Sequence, residues 1–342
     1  GNLNLKGTGV VIVTQTGEGS IQATFTNDGK LLNETVDTPL DFSSATEDKG
    51  ELAKDGYHWD NKTKTLTLEN LIMIGTPHSE NTNAISLPEG ENVTLELKGY
   101  NKITGFKSAV YQGAAKLGNE DTLPEAKGSL TITGDGMLTY EDLKQVKMLM
   151  SDYDYDDGPY AEDVLTTTGK LIMQSGSIVM ESSGRRTIKA VGMEIKGGTI
   201  GNESVNAPIY SLGDFTMMGG KVIAGDGYEE GSIGVRGDMT ITGGDIITGK
   251  SYNGIAIKDG NLNMAGGNLT TGDSNNGIMI QNGSFAMTGG NLTIHNDVNK
   301  KSIGFGLASL LQQADQVEKF SVSGGVLDIK VGMAALIFAN YS

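Results

Sequence analysis

Three arrangements of residues in this sequence are suited to chemistry. The densest is acidic: SDYDYDDGPYAED, residues 151–163, places Asp152, Asp154 and Asp156 at alternate positions and Asp163 further along. A short segment of carboxylates spaced this way resembles a calcium loop, because Ca2+ gathers many oxygen ligands from one turn of chain. The segment departs from the EF-hand pattern, with Asp157 where glycine makes the sharp turn, Gly158 one place late, and Asp163 in place of the final glutamate. A solvated acidic loop is the competing reading, since runs of charge commonly serve as wetted surface. No cofactor is required by the sequence, and Ca2+ is the one ion it suggests.

The second arrangement is a set of similar turns. GDGYEEGS (225–232), GKSYNGI (249–255) and GDSNNGI (272–278) place Asp226, Tyr228, Tyr252, Asn253, Asp273 and Asn276 at comparable points of three successive segments. Exposed aromatic rings stack on the apolar faces of sugars, while Asp and Asn exchange hydrogen bonds with hydroxyl groups, so this column is the candidate ligand site for a polysaccharide or glycan. Turn chemistry offers another account: Asn fills positions of positive φ and stacks as an internal ladder, and Tyr covers an edge.

The third arrangement, GDIITGKS (244–251), matches the spacing of a phosphate-binding loop. That mechanism needs a helix whose N-terminus faces the phosphate, and here the pattern continues as strand, so nucleotide binding is set aside. Other catalytic patterns are scarce. His58, His78 and His295 are far apart, with no nucleophile elbow and no paired-histidine zinc motif.

The elements that position these residues repeat. Gly-Gly pairs occur at Gly197-Gly198, Gly219-Gly220, Gly243-Gly244, Gly266-Gly267 and Gly289-Gly290, giving offsets of 22, 24, 23 and 23 residues, and a sixth pair, Gly324-Gly325, follows after 35. Within each period three short apolar-x-apolar segments alternate with turns, as in Ile278-x-Ile280, Phe285-x-Met287 and Leu292-x-Ile294. Alternation with period two means strands with one face inward. A fixed period of this length is the mark of a stacked solenoid. The fold predicted is all-β, a single-stranded right-handed parallel β-helix of about ten coils, its handedness taken from the bias of parallel strand connections. Met193, Phe215, Met239, Leu262 and Phe285 should stack as one inward column. Weaker coils extend back through KLIMQSGSIVMES, GSLTITGDGMLTY and KTLTLENLIMIG.

Residues 1–50 lack the period, and VVIVTQ and SIQATFTNDGKLL read as strands of an N-terminal β cap, leaving 51–342 as the β-helix. Solenoid ends need such cover. Insertions fall near 141–163, where YEDLKQVKMLM has helical character, and near 306–319, where ASLLQQADQVEK has helical spacing.

Composition narrows the function. The 342 residues carry a net charge of −16 with scattered Lys and Arg, which argues against nucleic acid and anionic membrane surfaces as partners. Fifty glycines against six prolines suit many tight turns, and no cysteine is present for disulfides or thiolate chemistry. No apolar run reaches membrane-spanning length. The start at Gly1 is read as trimmed, with an export signal removed.

GYHWDNKTKTLTLENL (56–71), followed by AISLPEGENVTLELKGYNKITG, GSLTITGDGMLTY and the TGGNLT coils, resembles secreted surface proteins of anaerobic, often gut-dwelling bacteria. Among these is a carbohydrate-binding family similar in fold to right-handed β-helix polysaccharide lyases. The resemblance runs from about residue 56 to the end. It implies binding of cellulose-like or pectin-like glycans, sometimes with calcium, adhesion, and an extracellular or cell-surface location. No set of ligand residues carries over position by position. Two other functions stand beside it: a polysaccharide lyase or hydrolase, and a purely structural stalk. β-Helix lyases use an Arg or Lys base beside acidic calcium ligands. Arg236 and Lys258 lie near equivalent positions one coil apart, with Lys189 two coils earlier, but no Asp cluster accompanies them.

Overall fold

The computed structural model describes residues 11–14, 22–25, 31–32, 37–75, 82–114, 125–141, 163–180, 187–201, 208–225, 231–297, 301–309 and 320–340. Apart from one short helix, Leu52–Asp55, the regular elements there are strands. Three strands per coil wind into a parallel β-helix, and one complete coil runs Ser274–Gln281, Phe285–Met287, Asn291–His295. These are strands of its first, second and third face. Each pairs in parallel with its counterpart one coil away: Ile255 with Ile278, Leu262 with Phe285, and Leu269 with Leu292.

The third face is a ten-stranded sheet from Ile72–Ile74 to Val326–Lys330. Faces one and two merge into a single sheet because the long strands Asp163–Met173 and Thr187–Ile195 run unbroken across both. Where the coil must turn between these faces, the register of that long pair slips, between Thr167 and Lys170.

Sequence alternation becomes a core in vertical register. Met193, Phe215, Met239, Leu262, Phe285 and Phe320 are successive neighbours up the second face. On the third face Ile200, Val222, Ile246, Leu269 and Leu292 do the same. All but Phe320 are buried, and a side chain of this size contributes about 1.5–3 kcal/mol when fully removed from water. No single coil encloses such a column, which is why the strands are stable only as a stack.

The Gly-Gly pairs make the corner between the second and third faces. The second glycine of each pair is left-handed, with φ of 74° at Gly198, 77° at Gly220, 83° at Gly244, 76° at Gly267 and 85° at Gly290. The corner also lies flat on the one below, so a side chain there would meet backbone.

The opposite corner, between faces one and two, extends the ladder through side chains. Asp214 Oδ1 accepts the Asp238 N–H at 2.9 Å, Asp238 Oδ1 accepts the Asn261 N–H at 2.7 Å, and Asn261 Oδ1 accepts the Ser284 N–H at 3.0 Å. A turn N–H has no strand partner, and the carboxamide or carboxylate of the adjacent coil supplies the missing acceptor.

At the N-terminal end the cap segments predicted from VVIVTQ and SIQATFTNDGKLL are strands: Val11–Thr14, Gln22–Phe25 and Leu31–Leu32 form an antiparallel sheet. The chain joins the solenoid before residue 51, where Leu40 pairs with Ile85. Phe42 stacks on Trp59 at 5.2 Å, and the antiparallel pair Tyr57–Asp60 and Thr65–Glu69 lies at this end of the stack. The predicted helices in YEDLKQVKMLM and ASLLQQADQVEK fall mostly outside the described residues. The parts described, through Glu141 and from Ala308 to Ser309, are strand.

Two carboxylates here make the N-terminal end sensitive to acid. Asp60 is held below its ordinary pKa chiefly by the Thr63 backbone N–H, with the Thr63 side chain and Lys62 N–H adding to it. Asp41 is lowered by the Ser43 hydroxyl at 2.6 Å and then by its N–H at 2.9 Å. A depressed carboxylate contributes stability that is present above its unfolded pKa, near 3.9, and lost as pH falls through its folded value. Fluorescence of Trp59, the single tryptophan, should report loosening of this end below about pH 4. In Asp60→Asn that acid transition should weaken, and an identical transition in the variant would rule out this linkage.

Candidate functional site

The turn column lies between the third face of one coil and the first face of the next. It is positioned by strands that begin earlier than the apolar pattern suggests: Ser251–Ile257 and Ser274–Gln281 wrap the corner before the Ile-x-Ile segment begins. The alternation of the strand therefore sorts the column into inside and outside. Tyr252 is outside and 53% exposed, while Asn253 and Asn276 are each only 6% exposed.

The two asparagines face each other across neighbouring coils. Asn276 Nδ2 donates to Asn253 Oδ1 at 2.8 Å, and the strand register places the pair side by side. Burying an amide without partners costs about 1–3 kcal/mol, so stacking like on like satisfies a polar corner that a single asparagine would leave open. Of the expected ligand residues, these two have their amides engaged with one another inside the corner. Asp273 is half-buried, and its Oδ1 accepts the Asp297 N–H at 2.9 Å, so it too ties one coil to the next. Asp226 and Tyr228 lie outside the described residues.

Around the same corner a buried polar set continues the ladder. Thr248 Oγ1 accepts the Gly272 N–H at 3.1 Å, and Asn296 Oδ1 accepts from the Ser274 N–H and hydroxyl, both at 3.3 Å. The repeated Asn-Gly in Asn253-Gly254 and Asn276-Gly277 is the signal in the sequence that an internal ladder was present.

A second ladder, on the outer surface of the third face, was not read from the sequence. Asn268 Nδ2 donates to Asp245 Oδ1 and Asn291 Nδ2 to Asn268 Oδ1, each at 2.7 Å, and all three residues are exposed. The spacing that marks it is Asp or Asn immediately after three successive Gly-Gly pairs, at Asp245, Asn268 and Asn291, in register over three coils.

Of the proposed calcium loop, Asp152, Asp154 and Asp156 lie outside the described residues, and Asp163 opens a strand whose backbone pairs with Thr187. Among the described residues no group of three or more His, Asp and Glu converges as for a metal ion. The histidines have separate surroundings: His58 Nδ1 is 2.9 Å from the Gly50 carbonyl oxygen, His295 Nε2 is 2.8 Å from Asp328 Oδ2 on the surface, and His78 is not among the described residues. The segment matching a phosphate loop is strand Asp245–Thr248 followed by strand Ser251–Ile257, with no helix to face a phosphate.

The cations share the first face but occupy two rows. Lys189 aligns with Tyr210 in one outward row, whereas Arg236 and Lys258 follow Val235 and Ile257 in the next. Arg236 Nη2 is 3.8 Å from Asp259 Oδ2. What this surface offers chemically is an exposed ring, cations in neighbouring turns and hydrogen-bonding ladders on a stacked frame. No family model, characterised protein or solved structure matched this chain, and what is shown is an all-β fold of parallel sheets of β-helix type.

Proposed function

We propose that this chain is a secreted or surface-displayed protein that binds polysaccharide or host glycan along the outside of its β-helix. Tyr252 carries the reading: a large aromatic ring left 53% exposed at the corner of a rigid stack, beside an amide ladder that fixes the backbone beneath it. An exposed ring of this kind can stack on the apolar face of a sugar. Coils repeat at about 4.8 Å, so a polymer of sugars meets the same edge again and again. Asp226 and Tyr228 belong to this reading by sequence alone.

Screening against a glycan array with and without calcium identifies the ligand and tests the acidic segment 151–163 at once. Tyr252→Ala should lower affinity for the bound glycan roughly tenfold, equivalent to about 1.4 kcal/mol, with thermal stability unchanged because the ring lies outside the core. Combination with Tyr228→Ala should lower it further. Unchanged binding in the double variant would move the site away from this edge.

A further inference from the structure

We infer that the last coil of the stack is a docking end for a second copy of this chain, joined by antiparallel pairing of Val326–Lys330 with its own counterpart across a two-fold axis at Ile329. The inference is independent of the glycan reading.

Core positions reach the surface at this end. Val322 pairs with Met287 and so points inward, yet it is 42% exposed where Met287 is 0%. Leu327 and Ile329 stand over the fully buried Leu292 and Ile294, and Leu336 stands over Phe305, but all three remain partly accessible. Val322, Val326 and Met333, three of the five large hydrophobic residues exposed among those described, belong to this one coil. The N-terminal end is different. There the antiparallel pair Tyr57–Asp60 and Thr65–Glu69 closes the stack, Lys49 bridges to Trp59, and Phe42 and Trp59 are buried. A copy therefore finds no open coil for head-to-tail docking, and like ends must meet, which gives a closed dimer rather than a filament.

The strand Val326–Lys330 ends the ten-stranded sheet, so its far edge has no strand beside it. The Val326 N–H donates to the Gly290 carbonyl and the Lys330 carbonyl accepts from the Asn296 N–H, so the even-numbered residues bond to the coil below. Leu327, Ile329 and Val331 turn their N–H and C=O groups to the open edge. Such an edge accepts another strand, and the side chains decide which one. Here VLDIKV, residues 326–331, is complementary to itself. With the axis at Ile329, Leu327 faces Val331 of the second copy, apolar against apolar, and Asp328 of each copy faces Lys330 of the other. Moving the axis to Asp328 would instead oppose the two Asp328 carboxylates, and like charges directly opposite are destabilising. Asp328 lies 2.8 Å from His295 Nε2 and 3.8 Å from Lys330 Nζ in its own chain, which keeps its carboxylate on the outer side of the strand, where the second Lys330 arrives.

The rest of the coil agrees with that axis. Its strands run Phe320–Val322, Val326–Lys330 and Ala334–Asn340, so the self-paired strand is the middle one. A two-fold through the middle strand exchanges the outer two, setting Phe320–Val322 of each copy against Ala334–Asn340 of the other. Val322 and Leu336 then leave water together. A helical end matches itself under such an axis, because reversing the direction of winding and reversing the direction of rise cancel. The net charge of −16 on each chain opposes association at long range, but at physiological salt the field fades beyond about 8 Å, and the contacts at the end decide.

The test is analytical sedimentation of the intact chain at physiological salt, from about 1 to about 300 μM, the range in which small interfaces associate. A reversible monomer–dimer equilibrium is expected. Asp328→Lys and Lys330→Glu each oppose like charges and should weaken the dimer about tenfold, while the double variant, which exchanges the two charges, should return it to within about threefold of the original. In the unsubstituted chain, hydrogen exchange should slow at Leu327, Ile329 and Val331 as the concentration rises, a readout that needs no variant. A chain that stays monomeric, or that grows into filaments, overturns the inference. So does a dimer indifferent to either single substitution, or a double variant no better than the single ones. Full protection of Ile329 in the monomer would mean that the chain covers its own end, and overturns it too.

Discussion

Phe285→Ala should cost about 3–5 kcal/mol, the usual cost of emptying a buried phenylalanine site. Phe285 is 1% exposed and sits where three rings meet, with Phe305 at 4.8 Å and Phe320 at 5.0 Å, the latter two being 5.2 Å from each other. These rings belong to two coils and two faces, so the cluster joins the last coils to those before them. Aromatic pairs add about 0.5–1.5 kcal/mol beyond their buried area, and truncating Phe285 removes two of the three. Each coil touches mainly its neighbours, so the damage should stay local and spread toward the nearer end. Hydrogen exchange should show protection lost from Phe285 to Lys330, with the coils before Met239 unchanged. Uniform loss of protection along the whole chain would mean that the solenoid unfolds as one unit.

Gly244→Ala should destabilise by about 2–5 kcal/mol, more than a methyl group ordinarily does. One contribution is conformational: φ of 83° is left-handed, and a residue with a Cβ there costs about 1–2 kcal/mol. The other is stacking. A Cβ at this position would stand 2.7 Å from Met217 Cε, 2.8 Å from the Gly219 carbonyl carbon and 2.8 Å from the Gly220 oxygen, so the corner of the coil below must shift. Overpacking of that kind costs a further 1–3 kcal/mol or so. Gly90 separates the two effects, since its φ is 78° but nothing lies within 4 Å of its Cβ position. Gly90→Ala should therefore cost only the conformational part, about 1–2 kcal/mol. Denaturant titration of both variants measures the difference, and equal losses would show that stacking plays no part at the Gly-Gly corner.

The turn column shows where pattern reading stops. Tyr252, Asn253, Asp273 and Asn276 are adjacent in the repeat and look equivalent as turn residues. In three dimensions Tyr252 is exposed, Asp273 accepts a backbone N–H from the next coil, and Asn253 and Asn276 are buried against each other. The distinction depends on where the strand begins, and no apolar residue marks that point: Ser251 and Ser274 start strands whose alternation reaches back into the turn. Gly234 and Ala256 look like fillers between core aliphatics until register sets them side by side.

Period and alternation are properties of the chain order, because a parallel coil must return to the same inward position every 22 to 24 residues and a strand must alternate at every second one. The number of faces, the stacked column from Met193 to Phe285 and the glycine corner were therefore determined by the sequence alone. Which polar residues turn inward as ladders and which remain outside was decided only by the tertiary structure. A polar side chain is buried when a neighbour in the next coil supplies its hydrogen bond, and that neighbour lies about 23 residues away.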